Sequence, residues 1–169
     1  MLPAEYQARV SASNQYGEWC ADDYMALALC EATGAVCGEL AKLMRDRDHS
    51  ADELHHLLSL DEVRLPLLEE IGDVCCLLAT IATRNGFEFG SMSQCAIPSS
   101  IVSAARWLSV AASAFRDNAT RYKVAHMTAK CFDLTTILGS NLQDVFDLSV
   151  SKLESRAARG TLGGSGGTR

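Results

Sequence analysis

The scarcity of proline constrains the fold of this chain more than any other feature of its sequence. The 169 residues include three prolines, and the long segments between them are rich in alanine, leucine, serine and charged residues. Alanine and leucine favour helices, and the alternating pattern of β-branched and aromatic residues that is typical of strands is missing. The sequence therefore predicts an all-α fold, with enough residues for one domain and a hydrophobic core.

Apolar spacing and capping residues predict the order of the helices. The predicted helices cover residues 6–10, 23–44, 52–60, 66–85, 98–115, 120–138 and 144–158. A charged loop is expected at 45–49 and a linker at 90–100, and Pro66 is expected in the first helical turn, where proline is tolerated. These elements predict a single helical domain over 1–160, with a first hairpin at 23–86, a second hairpin at 98–139 and a closing helix. The glycine-rich segment 161–169 is expected to be a flexible tail.

The two predicted hairpins share a faint internal similarity. The segment 78–81 (LATI) resembles 134–137 (LTTI), and each precedes a glycine-containing helix end. Aligning the two segments places His126 opposite Glu70 and Ala129 opposite Asp73. The similarity has two interpretations: chance likeness between amphipathic helices, or a duplication in which the second hairpin has become degenerate and structural.

The charge and cysteine content narrow the class of protein. A net charge of −6 argues against a general binder of nucleic acid or anionic membranes, which needs a basic surface. The N-terminus lacks a basic region followed by an apolar one, and no run of about 18 apolar residues occurs. Seven cysteines at irregular spacing are interpreted as small buried hydrophobes in a reducing compartment. A cytoplasmic location is expected.

The clearest candidates for chemistry are two carboxylates on the predicted helix over 66–85. Glu70 and Asp73 are three residues apart, so they share a helix face, and they flank the apolar stripe. Carboxylates turned toward a bundle need a cation or hydrogen bonds, and Mg²⁺ prefers oxygen ligands. The alternative is an ordinary solvated acidic face. On the preceding helix, Glu31, Ala35 and Glu39 form one ridge, although Glu39 could simply pair with Lys42 or Arg45.

Three blocks of sequence carry a resemblance to a known family. Residues 27–36 (LALCEATGAV) resemble the pattern LxLxEExGEV, and residues 68–74 (LEEIGDV) resemble EELGDV. Residues 152–169 resemble the ending KLxxRxxRGxLxGSGDxR of phage-encoded members. The chain therefore resembles the MazG-like, all-α nucleoside triphosphate pyrophosphohydrolases, which are similar in fold to dimeric dUTPases and dCTPases.

The resemblance implies a reaction and a set of residues. Family members bind Mg²⁺ or Mn²⁺, and a water attacks the α-phosphorus to give a nucleoside monophosphate and pyrophosphate. By this resemblance the catalytic and metal-ligating residues are Glu31, Glu70 and Asp73. The implied phosphate contacts are Lys152 and Arg156, followed by Arg159 and Arg169. The alternative for these basic residues is a helix end favoured by the helix dipole. Trp19 and Tyr24 could approach a base, and Trp107 could be a core residue or stack on a base.

The chain departs from the family pattern at the metal site. Ala32 and Ala35 occupy positions that are usually glutamate, and alanine supplies no ligand. Gly167 and Ser149 stand where Asp and Asn are common. We interpret the alanine pair as a deliberate inactivation. Natural loss of activity is one alternative, and replacement of the missing ligand by Glu39 is another.

These observations predict a Mg²⁺-dependent hydrolase of nucleoside triphosphates, with a dNTP as the expected substrate. Its expected role is control of a nucleotide pool in the cytoplasm, in a host cell if the chain is phage-encoded. One alternative is a non-catalytic nucleotide-binding or regulatory protein with the same fold. Another is a purely structural helical module. A homodimer or homotetramer is expected because apolar residues such as Trp107, Leu108 and Val110 exceed the needs of one small bundle.

Overall fold

The computed structural model describes residues 1–13, 22–47, 54–90, 100–116 and 120–160, and these ranges are almost entirely helical. The helices are α1 (Pro3–Ser13), α2 (Asp22–Arg47), α3 (Leu54–Leu57), α4 (Asp61–Arg84), α5 (Ile101–Ser113), α6 (Arg121–Ile137) and α7 (Leu142–Ala158), with a 3₁₀ turn at Ala114–Arg116. The described ranges contain no strand. The prediction of an all-α fold is confirmed.

Helix α4 is the centre of the bundle. It packs against α2 and α6 and also against α1 and α7, while α5 packs against α2 and α6. The stripe of α4 that the sequence predicted is buried, as its spacing of three and four residues requires. Its members are Leu67, Ile71, Val74, Leu78 and Ile81. Any side chain at the edge of this stripe is therefore close to two or more neighbouring helices.

Capping residues set the limits of several helices. The Ser100 and Thr120 side chains accept from backbone amides in the first turns of α5 and α6, and Asn141 forms a capping box with Asp144 at the start of α7. Gly86 and Gly139 have φ of 68° and 67° just after α4 and α6. This left-handed conformation favours glycine, so both helices end where the sequence predicts.

Three predicted boundaries are wrong. Helix α4 begins at Asp61, so Pro66 lies inside the helix rather than in its first turn. The missing amide of Pro66 costs one backbone hydrogen bond, and the burial of Val63 and Leu67 on either side offsets that loss. Helix α2 continues to Arg47, into the segment 45–49 that was expected to be a charged loop, and residues 48 and 49 lie outside the described residues. Helix α3 ends at Leu57 rather than at Leu60, and the amides of residues 58, 59 and 60 form a turn by donating to the carbonyls of Leu54, His56 and Leu57. The expected linker lies largely outside the described residues.

The two hairpins face each other across α4 and α6. Leu78 and Leu134 are both fully buried. Thr80 and Thr136 each donate to the carbonyl four residues earlier. The offset between Leu78 and Leu134 also separates Cys75 from Cys131, and the neighbouring Cys131 thiol, together with burial, raises the pKa of the Cys75 thiol. These shared features leave both interpretations of the similarity open.

Helix α2 is the only part of the described chain with the length and hydropathy of a membrane span. Its most apolar stretch within Asp22–Asp46 has a mean hydropathy of 1.2, and 33% of that stretch is buried. Helix α2 packs against α4 and α5, and a core helix of a soluble protein has the same character. The fold is compatible with a soluble protein.

Candidate functional site

The predicted carboxylates of α4 lie at the edge of the core. Glu70 and Asp73 are one helical turn apart and partly exposed, while Ile71 and Val74 beside them are fully buried. The helical period therefore turns both carboxylates toward the edge of the bundle, where α4 meets its neighbours. The surface that carries Glu70 and Asp73 is called the acidic rim. The sequence prediction that they share one face and flank the apolar stripe agrees with this placement.

Glu70 lies in a strongly acidic environment. Partial burial is the main cause that raises the pKa of Glu70 above its usual value, and the negative charges of Asp73, Glu39 and Glu31 raise it further. The positive charge of Lys152 acts in the opposite direction. The other three carboxylates that the sequence singled out therefore each act on the charge of Glu70, and Lys152 opposes them.

A lysine from α7 bonds directly to Asp73. The Lys152 Nζ atom donates to the Asp73 Oδ2 atom at 2.6 Å, and the two side chains are 28% and 37% exposed. Arg156 lies one turn further along α7, and its charge acts on the buried thiol of Cys76 as that of Lys152 does. Both predicted phosphate contacts therefore face α4. Arg159 follows the end of α7 and is exposed.

A buried polar joint lies behind the Asp73–Lys152 pair. The Tyr6 and Ser149 hydroxyls are 2.9 Å apart, and they lie 3.5 and 3.3 Å from the carbonyl oxygen of Gly72. Ser149 precedes Lys152 by one turn, and Gly72 directly precedes Asp73. The joint therefore fixes α1 and α7 against α4 next to the site. Sequence analysis missed Tyr6, because the contact links positions far apart in the chain.

The small size of Gly72 allows this close approach. A Cβ atom at position 72 would lie 3.2 Å from the Ser149 Cβ atom. We expect Gly72→Ala to lower the free energy of unfolding by about 1–2 kcal/mol, because α7 would have to move away from α4. Urea unfolding of the purified variant measures this. Gly38→Ala is the matched control: an added Cβ there meets nothing within 4 Å, so a gain of about 0.5–1 kcal/mol is expected. Equal effects in the two variants would contradict this account.

The resemblance places positions 32 and 35 of α2 at a metal site, but position 32 is buried. Glu31 is exposed, and Ala35 and Glu39 are partly exposed, so their ridge lies at the surface. Ala32 is 4% exposed and belongs to the apolar core. The Lys42 Nζ atom donates to the Glu39 Oε1 atom at 2.5 Å, which is the pairing considered from the sequence, whereas Arg45 pairs with Asp46.

The described residues do not complete a divalent-metal site. No three His, Cys, Asp or Glu side chains in the described ranges lie close enough together to hold a metal ion. Asp73 is bonded to Lys152 and Glu39 to Lys42, and alanine occupies positions 32 and 35. Mg²⁺ and Mn²⁺ both favour oxygen ligands, and here the carboxylates of α4 have a lysine as their nearest cation.

The aromatic and apolar residues that the sequence singled out differ in their exposure. Trp19 and Arg169 lie outside the described residues, and Tyr24 is exposed near the start of α2. Trp107 and Val110 are 55% and 58% exposed on α5, so Trp107 is not a core residue. Leu108 is fully buried, so its inclusion among the surplus apolar residues was wrong. Leu108 directly follows Trp107, and because a helix turns by about 100° per residue it lies on the buried side of α5.

Three of the five cysteines in the described ranges are buried, as expected, and Cys37 is partly exposed. Cys75, Cys76 and Cys131 are in the core, and burial raises the pKa of the Cys76 thiol to about 12. Such thiols pack as small hydrophobes and are poor nucleophiles. Cys30 differs, because it is exposed on α2.

The second hairpin holds a buried ion pair that sequence analysis missed. The Lys130 Nζ atom lies 3.0 Å from the Asp133 Oδ2 atom, with the two side chains 9% and 3% exposed. The corresponding positions of the first hairpin, by the offset between Leu78 and Leu134, are Val74 and Leu77. The two hairpins therefore place charge differently: at the rim in the first and inside the bundle in the second.

No family model, curated protein or solved structure matches this chain significantly.

Proposed function

We propose that this protein acts on nucleoside triphosphates, with a dNTP as the expected substrate, through the rim formed by α2, α4 and α7. The observation that carries the proposal is the placement of Glu70 and Asp73 beside the two basic residues of α7. Lys152 and Arg156 supply positive charge suited to phosphate oxygens. The carboxylates of α4 and α2 supply oxygen ligands of the kind that Mg²⁺ or Mn²⁺ needs.

The proposed reaction is hydrolysis of the triphosphate to a nucleoside monophosphate and pyrophosphate. A bound Mg²⁺ would offset the charge of the phosphates and activate a water. In this chain the donor set is incomplete at Ala32 and Ala35, so we infer that hydrolysis is weak or absent. The non-catalytic alternative is a nucleotide-binding protein, and the engagement of Asp73 by Lys152 favours it for the chain as it stands.

Restoring the missing carboxylates tests the proposal. The native chain and the Ala32→Glu, Ala35→Glu double variant are incubated with each common NTP and dNTP plus Mg²⁺, and the products are separated. We expect monophosphate and pyrophosphate from the double variant, at a rate at least about 100-fold above that of the native chain, because metal activation of water is worth several kcal/mol.

The control adds Asp73→Asn to the double variant, which removes a proposed ligand and should abolish the products. Products that persist without Asp73 would place the chemistry elsewhere. If the double variant gives no product and neither chain binds nucleotide, the proposed function is wrong and the fold is unaffected.

The acidic environment of Glu70 predicts a pH-dependent stability. The pKa of Glu70 is raised in the folded state, so ionisation of this side chain lowers the free energy of unfolding. This penalty is absent below the unfolded pKa, grows as the pH rises, and is fully present above the folded pKa. We expect Glu70→Gln to raise Tm by about 1–2 °C at pH 7, a small effect because the side chain is half-exposed and screened. The gain should shrink as the pH falls through the unfolded-state pKa of glutamate, about 4.3, because Glu70 is then increasingly protonated in both the folded and the unfolded state. Thermal unfolding followed by circular dichroism across pH 4–8 measures the difference, and a gain that grows toward acid pH would contradict this sign.

We also propose that the protein forms a homodimer or homotetramer in the cytoplasm, of a host cell if it is phage-encoded. The exposed Trp107 and Val110 lie one turn apart on α5, and exposed apolar residues at this spacing are typical of an interface. A mass measurement by light scattering tests this, and a monomer at every concentration would refute it.

A further inference from the structure

Lys152 is held in place from two sides. Its ammonium bonds to Asp73 at 2.6 Å, and the backbone of α7 one turn earlier is fixed by the joint of Tyr6, Ser149 and Gly72. A charge-assisted hydrogen bond of this length is strong for a partly buried pair. The lysine is therefore an ordered part of the acidic rim rather than a free surface side chain.

The position of Lys152 conflicts with that of a divalent ion. Mg²⁺ binds carboxylate oxygens at about 2.0–2.1 Å, and Mn²⁺ favours the same oxygen ligands. An ion bound to the Asp73 Oδ2 atom would lie within a few ångströms of the ammonium that already occupies that oxygen. The repulsion between a divalent ion and an ammonium at such a separation disfavours having both in place.

Lys152 also supplies what a metal would otherwise supply at this rim. The negative charges of Asp73, Glu39 and Glu31 all act on Glu70, and Lys152 is the positive group that offsets them. Glu39 has its own partner in Lys42. The negative charge at positions 70 and 73 is therefore partly offset by a cation from the protein itself.

We propose that Lys152 is a tethered cation that occupies the divalent-metal position at Asp73, so that a metal binds there only when the lysine leaves. This rests on the proposed function, which assigns Asp73 as a metal ligand. With the lysine on Asp73 the rim is closed to metal. With the lysine displaced toward a phosphate, Asp73 becomes a free oxygen ligand.

The test measures binding of Mn²⁺ alone, with no nucleotide present, by electron paramagnetic resonance of the free ion. We expect Lys152→Met to bind Mn²⁺ on the order of tenfold more tightly than the native chain, because a repelling charge beside the ligand is removed. Lys152→Gln serves as a second variant in case methionine disturbs the fold, and it should behave in the same way. Lys152→Arg keeps the charge and should bind as weakly as the native chain.

Two controls make the result specific. Arg9→Met removes one positive charge from a surface ion pair with Glu154, on the face where α1 meets α7, and should leave Mn²⁺ binding unchanged. Adding Asp73→Asn to Lys152→Met should abolish the tighter binding. The proposal is overturned if the lysine variants bind Mn²⁺ no better than the native chain, or if the gain survives without Asp73. Because no nucleotide is used, a failed hydrolysis assay leaves this measurement unaffected.

Discussion

Replacing Asp133 by alanine is expected to lower the free energy of unfolding by about 3–5 kcal/mol, because the Lys130 ammonium would remain buried without its partner. The two side chains are 9% and 3% exposed, so water cannot easily replace the lost carboxylate. A change of this size is a large fraction of the stability of a single domain. Urea unfolding monitored by circular dichroism measures it.

A double variant separates the ion pair from simple loss of packing. Lys130→Met with Asp133→Leu replaces both charges by apolar side chains of similar size, and it should recover most of the lost stability. Glu154→Ala is the matched surface control, since Glu154 pairs with Arg9 and is 64% exposed. That change should cost less than about 1 kcal/mol. A loss for Asp133→Ala as small as that of the control would show that the pair is not buried in solution.

A glutamate at position 32 is expected to destabilise the metal-free protein by about 2–4 kcal/mol. Ala32 is 4% exposed in the apolar core, so the longer side chain would bring a carboxylate into a poorly solvated position. For a chain of this size the corresponding fall in Tm is roughly 6–12 °C. Thermal unfolding without divalent ions, in the presence of a chelator, measures it.

Position 35, which also holds alanine where the resembled pattern has glutamate, provides the comparison for position 32. Ala35 is partly exposed on the ridge with Glu31 and Glu39, so Ala35→Glu should change Tm by no more than about 2 °C. If the new carboxylates reach the rim of α4, added Mg²⁺ should restore part of the loss in the double variant, as ligand binding to the folded state requires. An Ala32→Glu variant as stable as the native chain without metal would mean that position 32 opens to solvent.

The helical period allowed the sequence to predict the centre of the fold. The stripe of α4 is buried because apolar residues recur every three or four positions, and the helix ends at Gly86 and Gly139 follow from the left-handed conformation that glycine adopts readily. The start of α4 was not predictable in this way. Proline is favoured in a first turn, and only the tertiary burial around it allows Pro66 to lie inside a helix.

The candidate site was predictable in part. The spacing of Glu70 and Asp73 fixes them on one face of a helix, whatever packs against it. The bond between Lys152 and Asp73 joins residues far apart in the sequence, and the resemblance implied only that Asp73 would bind a metal and Lys152 a phosphate. The joint at Tyr6 and the burial of Lys130 depend on how the helices cross, which single-helix patterns do not specify. A lysine within a helix of weak amphipathic pattern gives no sign that it is buried.

Because both hairpins lie in one chain, the chain sets how many acidic rims an oligomer contains. An assembly of identical single hairpins would repeat any acidic rim on every hairpin. Here α4 carries Glu70 and Asp73, while the aligned positions of α6 hold His126 and Ala129, and α6 has a buried internal ion pair instead. The two hairpins of this chain therefore differ in where they carry acidic side chains. An oligomer of this chain would offer one acidic rim per polypeptide, half the number that its count of hairpins implies.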